Sequence, residues 1–246
     1  MNEIIDAYCT PGVERETRLT PMDLLQCMDE AGIHRAVIAP EDREIAVHNI
    51  SGNNRILEIS RKAQGRFIPA CTVNPWFGAA ACQELRRAVE AGAKMAVLAP
   101  ALQGFCFGDE LLDGLLDTAA ELRVPVYVHT GPHSFGAPTQ LIVAAAECPA
   151  VRFILGHCGS TDFARDMPDA IRLASENVWF EVSLLDPWAA AQYAKAGNRQ
   201  KVLFGSSAPR SNPAFELRSL MSMLPAQDYP DVYGGNLAAL IAEVRS

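Results

Sequence analysis

Residues 124–131 read Val-Pro-Val-Tyr-Val-His-Thr-Gly, and residues 153–159 read Phe-Ile-Leu-Gly-His-Cys-Gly. Each is a short apolar run, too brief for a helix, that ends in a histidine with a glycine two positions later. Strands covered on both faces read this way, because neither face has to be polar. The same kind of run recurs along the chain, giving strand candidates at Glu3–Tyr8, Arg35–Ala39, Arg66–Thr72, Ala93–Ala99, Val124–His129, Val151–Gly156, Val178–Ser183 and Val202–Ser206. Longer stretches of helical patterning separate them, which is the signature of parallel strands joined by crossover helices.

The helices carry their own start and stop signals. Thr20 before Pro21 is an N-cap followed by proline at the first helical position, and Gly32 closes that helix. Asp109 is placed to cap a helix whose Leu111, Leu112, Leu115, Leu116, Ala119 and Leu122 recur at three- and four-residue spacing and so form a core stripe. Further helices are expected over Asn53–Gln64 before Gly65, from about Ala80 to Gly92, and over Leu237–Val244.

Eight strand–helix units can close into a (β/α)8 TIM barrel or open into a doubly wound sheet. A dinucleotide-binding open sheet would carry GxGxxG after its first strand, whereas here that strand runs into Cys9-Thr10-Pro11-Gly12-Val13. No GxxxxGK[ST] phosphate loop occurs either. The 246 residues match the length of about 250 typical of one barrel, so a single α/β domain spanning 1–246 is expected.

Composition narrows the function. The chain is 49% hydrophobic with a formal net charge of -8 and no basic run, which argues against nucleic-acid binding. Seven cysteines stand singly, without CxxC pairs, and read as reduced thiols. No segment reaches the ~18 consecutive apolar residues of a membrane helix, and the start lacks a signal-peptide pattern, so a cytoplasmic location is expected.

Barrel active sites are built where strands end, which draws attention to His129 and His157 on consecutive strands. Either imidazole could act as acid or base. His133, four residues beyond His129, is a weaker candidate in the loop GPHSFGAP, where a solvated histidine is the simpler reading. Arg210, after the eighth strand, would pair with a carboxylate-bearing ligand if it lines the mouth. Glu41, Asp42, Arg43, Asn74, Trp76, Ser183 and Asp186 also fall near strand ends, whereas His34 and His48 read as structural or solvated.

The segments PVYVHTG (125–131), FILGHCG (153–159), VLFGSSAP (202–209) and YGGN (233–236), together with GRFIPACTVNPWFG (65–78) and the passage from Phe107 to Gly131, resemble amidohydrolase family 2. The resemblance implies a TIM barrel of hydrolase or non-oxidative decarboxylase ancestry. It also implies a divalent metal, usually zinc, held by an HxH pair on strand one, histidines on strands five and six and an aspartate on strand eight. His129 and His157 match the fifth- and sixth-strand positions. Tyr8 and Thr10 stand where the HxH pair would be, and Ser207 where the aspartate would be. Val97-Leu98-Ala99-Pro100 occupies the fourth-strand region where many relatives have a lysine and a histidine.

A catalytic zinc normally has three protein ligands and an open position. Two imidazoles with Tyr8, Thr10 and Ser207 leave that set incomplete, so no tightly bound cofactor is expected and zinc would occupy the site only weakly. Cys9 should face away from Tyr8 and Thr10 by strand alternation, and the same objection applies to Cys158. The expected function is a hydrolase or lyase acting on a small organic acid, lactone or amide in a pocket formed with Tyr8, Thr10, Ser207 and Arg210. The alternative is a non-catalytic small-molecule-binding barrel derived from such an enzyme. A third reading has another chain complete the metal site, and a homo-oligomer is compatible with the sequence. The partner is a small molecule, anionic if Arg210 contributes, and neither nucleic acid nor membrane.

Overall fold

The computed structural model describes residues 3–13, 16–131, 134–163, 165, 167–195 and 199–245. Eight parallel strands form one sheet in sequential order: β1 (Ile5–Cys9), β2 (Arg35–Ile38), β3 (Phe67–Thr72), β4 (Met95–Leu98), β5 (Val126–His129), β6 (Phe153–Gly156), β7 (Val178–Glu181) and β8 (Val202–Leu203). Seven lie within the span expected from their apolar runs, and β1 runs one residue past its expected end, to Cys9. The sheet curls until its ends meet: Ala7 N donates to Phe204 O at 3.0 Å, Ser207 N to Tyr8 O at 3.0 Å, and Thr10 N to Ala208 O at 2.8 Å. The fold is therefore a (β/α)8 barrel, with helices packed between successive strands.

Two layers of apolar side chains hold it together. Inside the barrel, Val37, Ile68, Val97, Tyr127, Ile154 and Leu203 meet, while alternate residues such as Ile38, Cys71, Val128 and Phe153 face the helices. Each fully buried large side chain stabilises the fold by roughly 1.5–3 kcal/mol relative to exposure. The helix Pro21–Ala31 starts as the sequence indicates. Thr20 Oγ1 accepts from Asp23 N at 3.1 Å, Asp23 Oδ2 accepts from Thr20 N at 3.0 Å, and Gly32 ends the helix at φ 74°. Asp109 departs from expectation: its carboxylate accepts from Cys106 N at 2.9 Å, a short 3-10 turn follows, and the helix proper is Asp113–Leu122. The helix expected at Asn53 begins earlier, at Asn49.

One irregularity positions the site. Asp6 pairs with Ala36 and Cys9 with Ile38, so β1 carries one residue more than β2 over the same interval. This bulge breaks the two-residue alternation. Tyr8 joins Ile5 and Ala7 in the interior, and Cys9 turns outward to the helix layer. All seven cysteines are free thiols. Among the described residues no helix is long and apolar enough to cross a membrane.

Candidate active site

At the C-terminal ends of the strands the barrel opens into a cavity of about 450 Å³, lined by His129, His157, Thr130, Ser160, Ala99, Leu102, Leu184, Asp42 and Arg210. His129 ends β5 and His157 follows β6, so their neighbouring strands bring them together. His129 Nδ1 lies 3.1 Å from His157 Nε2. Arg210 is half-exposed across the mouth and donates to Asp42 Oδ2 at 3.1 Å. Beyond it the mouth widens past Glu16, Glu41 and Arg43.

The imidazole pair is the middle of a longer chain. Tyr8 Oη lies 2.7 Å from His129 Nε2, and the Tyr8 ring stacks on Tyr127 with centroids 4.5 Å apart. On the other side, His157 Nδ1 lies 2.8 Å from Ser183 Oγ, and Ser183 Oγ donates to Glu181 Oε2 at 3.0 Å. Glu181 is fully buried at the end of β7. It also accepts from Tyr127 Oη at 2.7 Å, from the backbone N–H of His157 at 3.1 Å and, through Oε1, from that of Ser183 at 2.6 Å.

Desolvation decides the charge states. Burial, with a further push from the Arg210 cation, lowers His157 to about 3. His129 is held well below its ordinary value by burial, then by His157 and Arg210. Both rings are neutral near pH 7. Burial raises the Glu181 carboxyl while its hydrogen bonds pull the other way. Asp6, whose Oδ1 accepts from Ser206 N at 2.9 Å and whose Oδ2 has no partner among the described residues, is raised to about 6 by burial.

The other residues singled out from sequence sit as follows. Thr10 and Ser207 are buried at the seam between β1 and β8, off the cavity wall: Thr10 Oγ1 donates to Ala208 O at 3.4 Å, and Ser207 Oγ has no hydrogen-bond partner among the described residues. Cys158 packs into the helix-side core. Asn74 and Asp186 cap local turns, Trp76 Nε1 donates to Gln103 O at 2.9 Å, and Glu41 pairs with Arg55 at 3.4 Å. His34 Nδ1 accepts from Ile4 N at 3.1 Å, and His48 precedes the helix Asn49–Lys62. His133 lies outside the described residues.

Sequence reasoning passed over Tyr127 and Glu181. Tyr127 is two residues before His129 on the same strand, which places both on one face, and Glu181 is the one charge in the apolar run Val178–Val182. Backbone geometry marks the same rim: His157, Leu184 and Ser207 have φ of 60°, 62° and 57°, a region non-glycine residues rarely adopt. Such outliers persist where the surroundings over-determine them, often at functional sites.

Among the described residues, no three His, Cys, Asp or Glu side chains converge as a metal site would require. His129 and His157 direct nitrogens at each other, and the remaining His129 nitrogen faces the Tyr8 hydroxyl. The donor set therefore does not fit a three-ligand zinc centre.

The family profile described as amidohydrolase matches residues 13–240. No curated protein sequence matches significantly. Among solved structures, 5-carboxyvanillate decarboxylase from Novosphingobium aromaticivorans, complexed with manganese and 4-hydroxy-3-methoxy-5-nitrobenzoic acid, superposes with a TM-score of 0.82 at 15% identity, covering 98% of this chain and 96% of its own. A 2,6-dihydroxybenzoate decarboxylase from Rhizobium gives 0.79 at 16% identity, covering 98% and 99%. A dihydroxybenzoic acid decarboxylase from a Polaromonas species, with bound manganese and the inhibitor 2-nitroresorcinol, gives 0.78 at 17% identity, covering 98% and 97%.

Proposed function

The chain belongs to the amidohydrolase family, and from that premise we propose that it is a hydrolase or lyase acting on a small organic acid, lactone or amide by acid–base chemistry of the Tyr8–His129–His157 cluster. The observation that carries this reading is the contact between two neutral imidazoles on the wall of a cavity that Arg210 also lines. An imidazole within hydrogen-bond reach of a ligand transfers protons efficiently, and a guanidinium recognises a carboxylate through paired donors. Ala99, Leu102 and Leu184 offer apolar surface for the body of the ligand. The relatives' bound benzoic acid makes a small aromatic carboxylate the first compound to test.

The proposed chemistry uses no metal, because the donor set lacks a carboxylate at the eighth-strand position and its imidazoles are committed to each other and to Tyr8. A cytoplasmic setting belongs to the same proposal, supported by seven free thiols.

The test is calorimetric titration with benzoate and 2,6-dihydroxybenzoate, followed by turnover assays on hydroxybenzoates and small aryl lactones. Carboxylate binding that weakens in Arg210→Gln, with turnover lost in His129→Gln while binding survives, supports an enzyme. Binding without turnover of any such compound would favour the non-catalytic reading. No binding at all would remove the carboxylate assignment.

A further inference from the structure

We infer that Glu181 is a positioning residue that fixes both imidazoles as Nδ1–H tautomers, leaving His129 Nε2 as the basic atom of the cluster. The assignment follows from counting protons along the chain. Glu181 receives four hydrogen bonds on two oxygens, from Tyr127 Oη, Ser183 Oγ and the backbone N–H groups of His157 and Ser183. The two backbone donors cannot be turned around, so the group is best satisfied as an acceptor-only carboxylate. Ser183 has a single hydroxyl hydrogen, and it is given to Glu181.

Ser183 Oγ can then only accept from His157, so the proton of His157 is on Nδ1, 2.8 Å away. The ring is neutral, and its Nε2 is bare. Of the two groups beside His157 Nε2, Tyr127 Oη at 3.4 Å gives its proton to Glu181, so the nitrogen accepts from His129 across 3.1 Å, which places the proton of His129 on Nδ1. His129 Nε2 is left bare in its turn, and Tyr8 Oη donates to it across 2.7 Å. Each hydrogen bond fixes the direction of the next, and the direction originates at a buried charge.

The chemical consequence rests on the enzymatic reading given above and deepens it. A site with this polarity takes protons at His129 Nε2, on a half-buried residue that lines the cavity, whereas Tyr8 is buried. When a substrate or a water in the cavity takes the place of the Tyr8 hydroxyl and gives its proton to His129 Nε2, the electron pair stays on that molecule. The resulting imidazolium is stabilised through His157 and Ser183 by the Glu181 carboxylate, as a buried acid orients and supports the histidine of a hydrolase triad. The cluster thus suits general-base chemistry such as water activation for lactone or amide hydrolysis. Direct protonation of a ring carbon from a neutral imidazole would need the opposite polarity.

Imidazole nitrogen NMR on the full-length, 15N-labelled protein at neutral pH tests the assignment without any substrate, so its outcome is separate from whether turnover is found. Both His129 and His157 should show a protonated Nδ1 and a bare Nε2, the bare nitrogen resonating far downfield. An Nε2–H tautomer in either ring overturns the inference. In Glu181→Gln, and in Ser183→Ala should the first variant not fold, both rings should revert towards Nε2–H. Retention of Nδ1–H in both rings of a folded variant also overturns the role given to Glu181. Tyr127→Phe, which removes a donor to Glu181 and the hydroxyl 3.4 Å from His157 Nε2, should leave both tautomers unchanged, because the proton of that hydroxyl goes to Glu181.

Discussion

Gly205 and Glu181 are in steric register: a Cβ at position 205 would stand 2.3 Å from Glu181 Oε1 and 2.8 Å from its carboxyl carbon. The carboxylate has nowhere to go, because its oxygens are already held by Ser183, Tyr127 and His157. The glycine after β8 is thus the space into which the acid of β7 fits.

Gly205→Ala should consequently destabilise the fold by about 1–3 kcal/mol, through overpacking and the loss of satisfied buried hydrogen bonds. Denaturant unfolding measures this. A change below about 0.5 kcal/mol would mean that Glu181 has room to move.

The pH dependence of stability follows from two opposed sets of groups. His129 and His157 have depressed values in the native state, so below their ordinary 6.5 the unfolded chain binds more protons than the native one, for His157 down to about 3. Their contribution is fully present above 6.5 and is lost as the pH falls, that of His157 towards about 3. Asp6 has the opposite sign. Raised from 3.8 to about 6, it binds its proton more tightly in the native state, so its ionisation lowers stability as pH rises through that interval. Asp6→Asn should therefore gain about 1–3 kcal/mol at pH 7, and its stability should fall more steeply on acidification than that of the unaltered protein. Melting temperature recorded against pH for both proteins checks the sign.

Arg210→Gln should leave stability within about 0.5 kcal/mol, since the Asp42 pair is largely exposed and such pairs contribute little. Benzoate binding should weaken about tenfold or more, the loss expected when a charge-assisted hydrogen bond of about 1.5–3 kcal/mol is removed. Equal affinity in the two proteins would place the carboxylate elsewhere in the mouth.

Combining Tyr8→His, Thr10→His and Ser207→Asp would return to β1 and the loop after β8 the side chains that the family resemblance implies. Zinc should then raise the melting temperature in a concentration-dependent way, by mass action on the native state alone. An unchanged melting curve at saturating zinc, in a folded variant, would show that the backbone has drifted from ligand geometry.

The barrel was legible because each strand is a closed local statement: an apolar run, a flanking break, a helix with caps such as Thr20 and Gly32. His129 and His157 were legible for a related reason, since they end consecutive runs and parallel strands in register carry their ends to one rim. The partners of those histidines were harder to read. Tyr127 and Glu181 look like core and chance charge until a closed barrel makes β5, β6 and β7 face one axis. Tyr8 points inward only because of the bulge between Asp6 and Cys9, and an extra residue opposite β2 leaves no mark in β1 itself. Thr10 and Ser207 share the β1–β8 seam without reaching the cavity wall, a distinction that strand position alone does not make.

His129 and His157 are proposed to form an acid–base pair and not the remnant of an occupied metal centre. Elemental analysis of the untagged protein, purified without chelators and then dialysed, separates the two. Clearly less than one equivalent of zinc or manganese per chain is expected, with no loss of benzoate binding on chelation. One full equivalent, retained through dialysis and lost in His129→Gln and His157→Gln, would contradict it and show that these nitrogens are ligands.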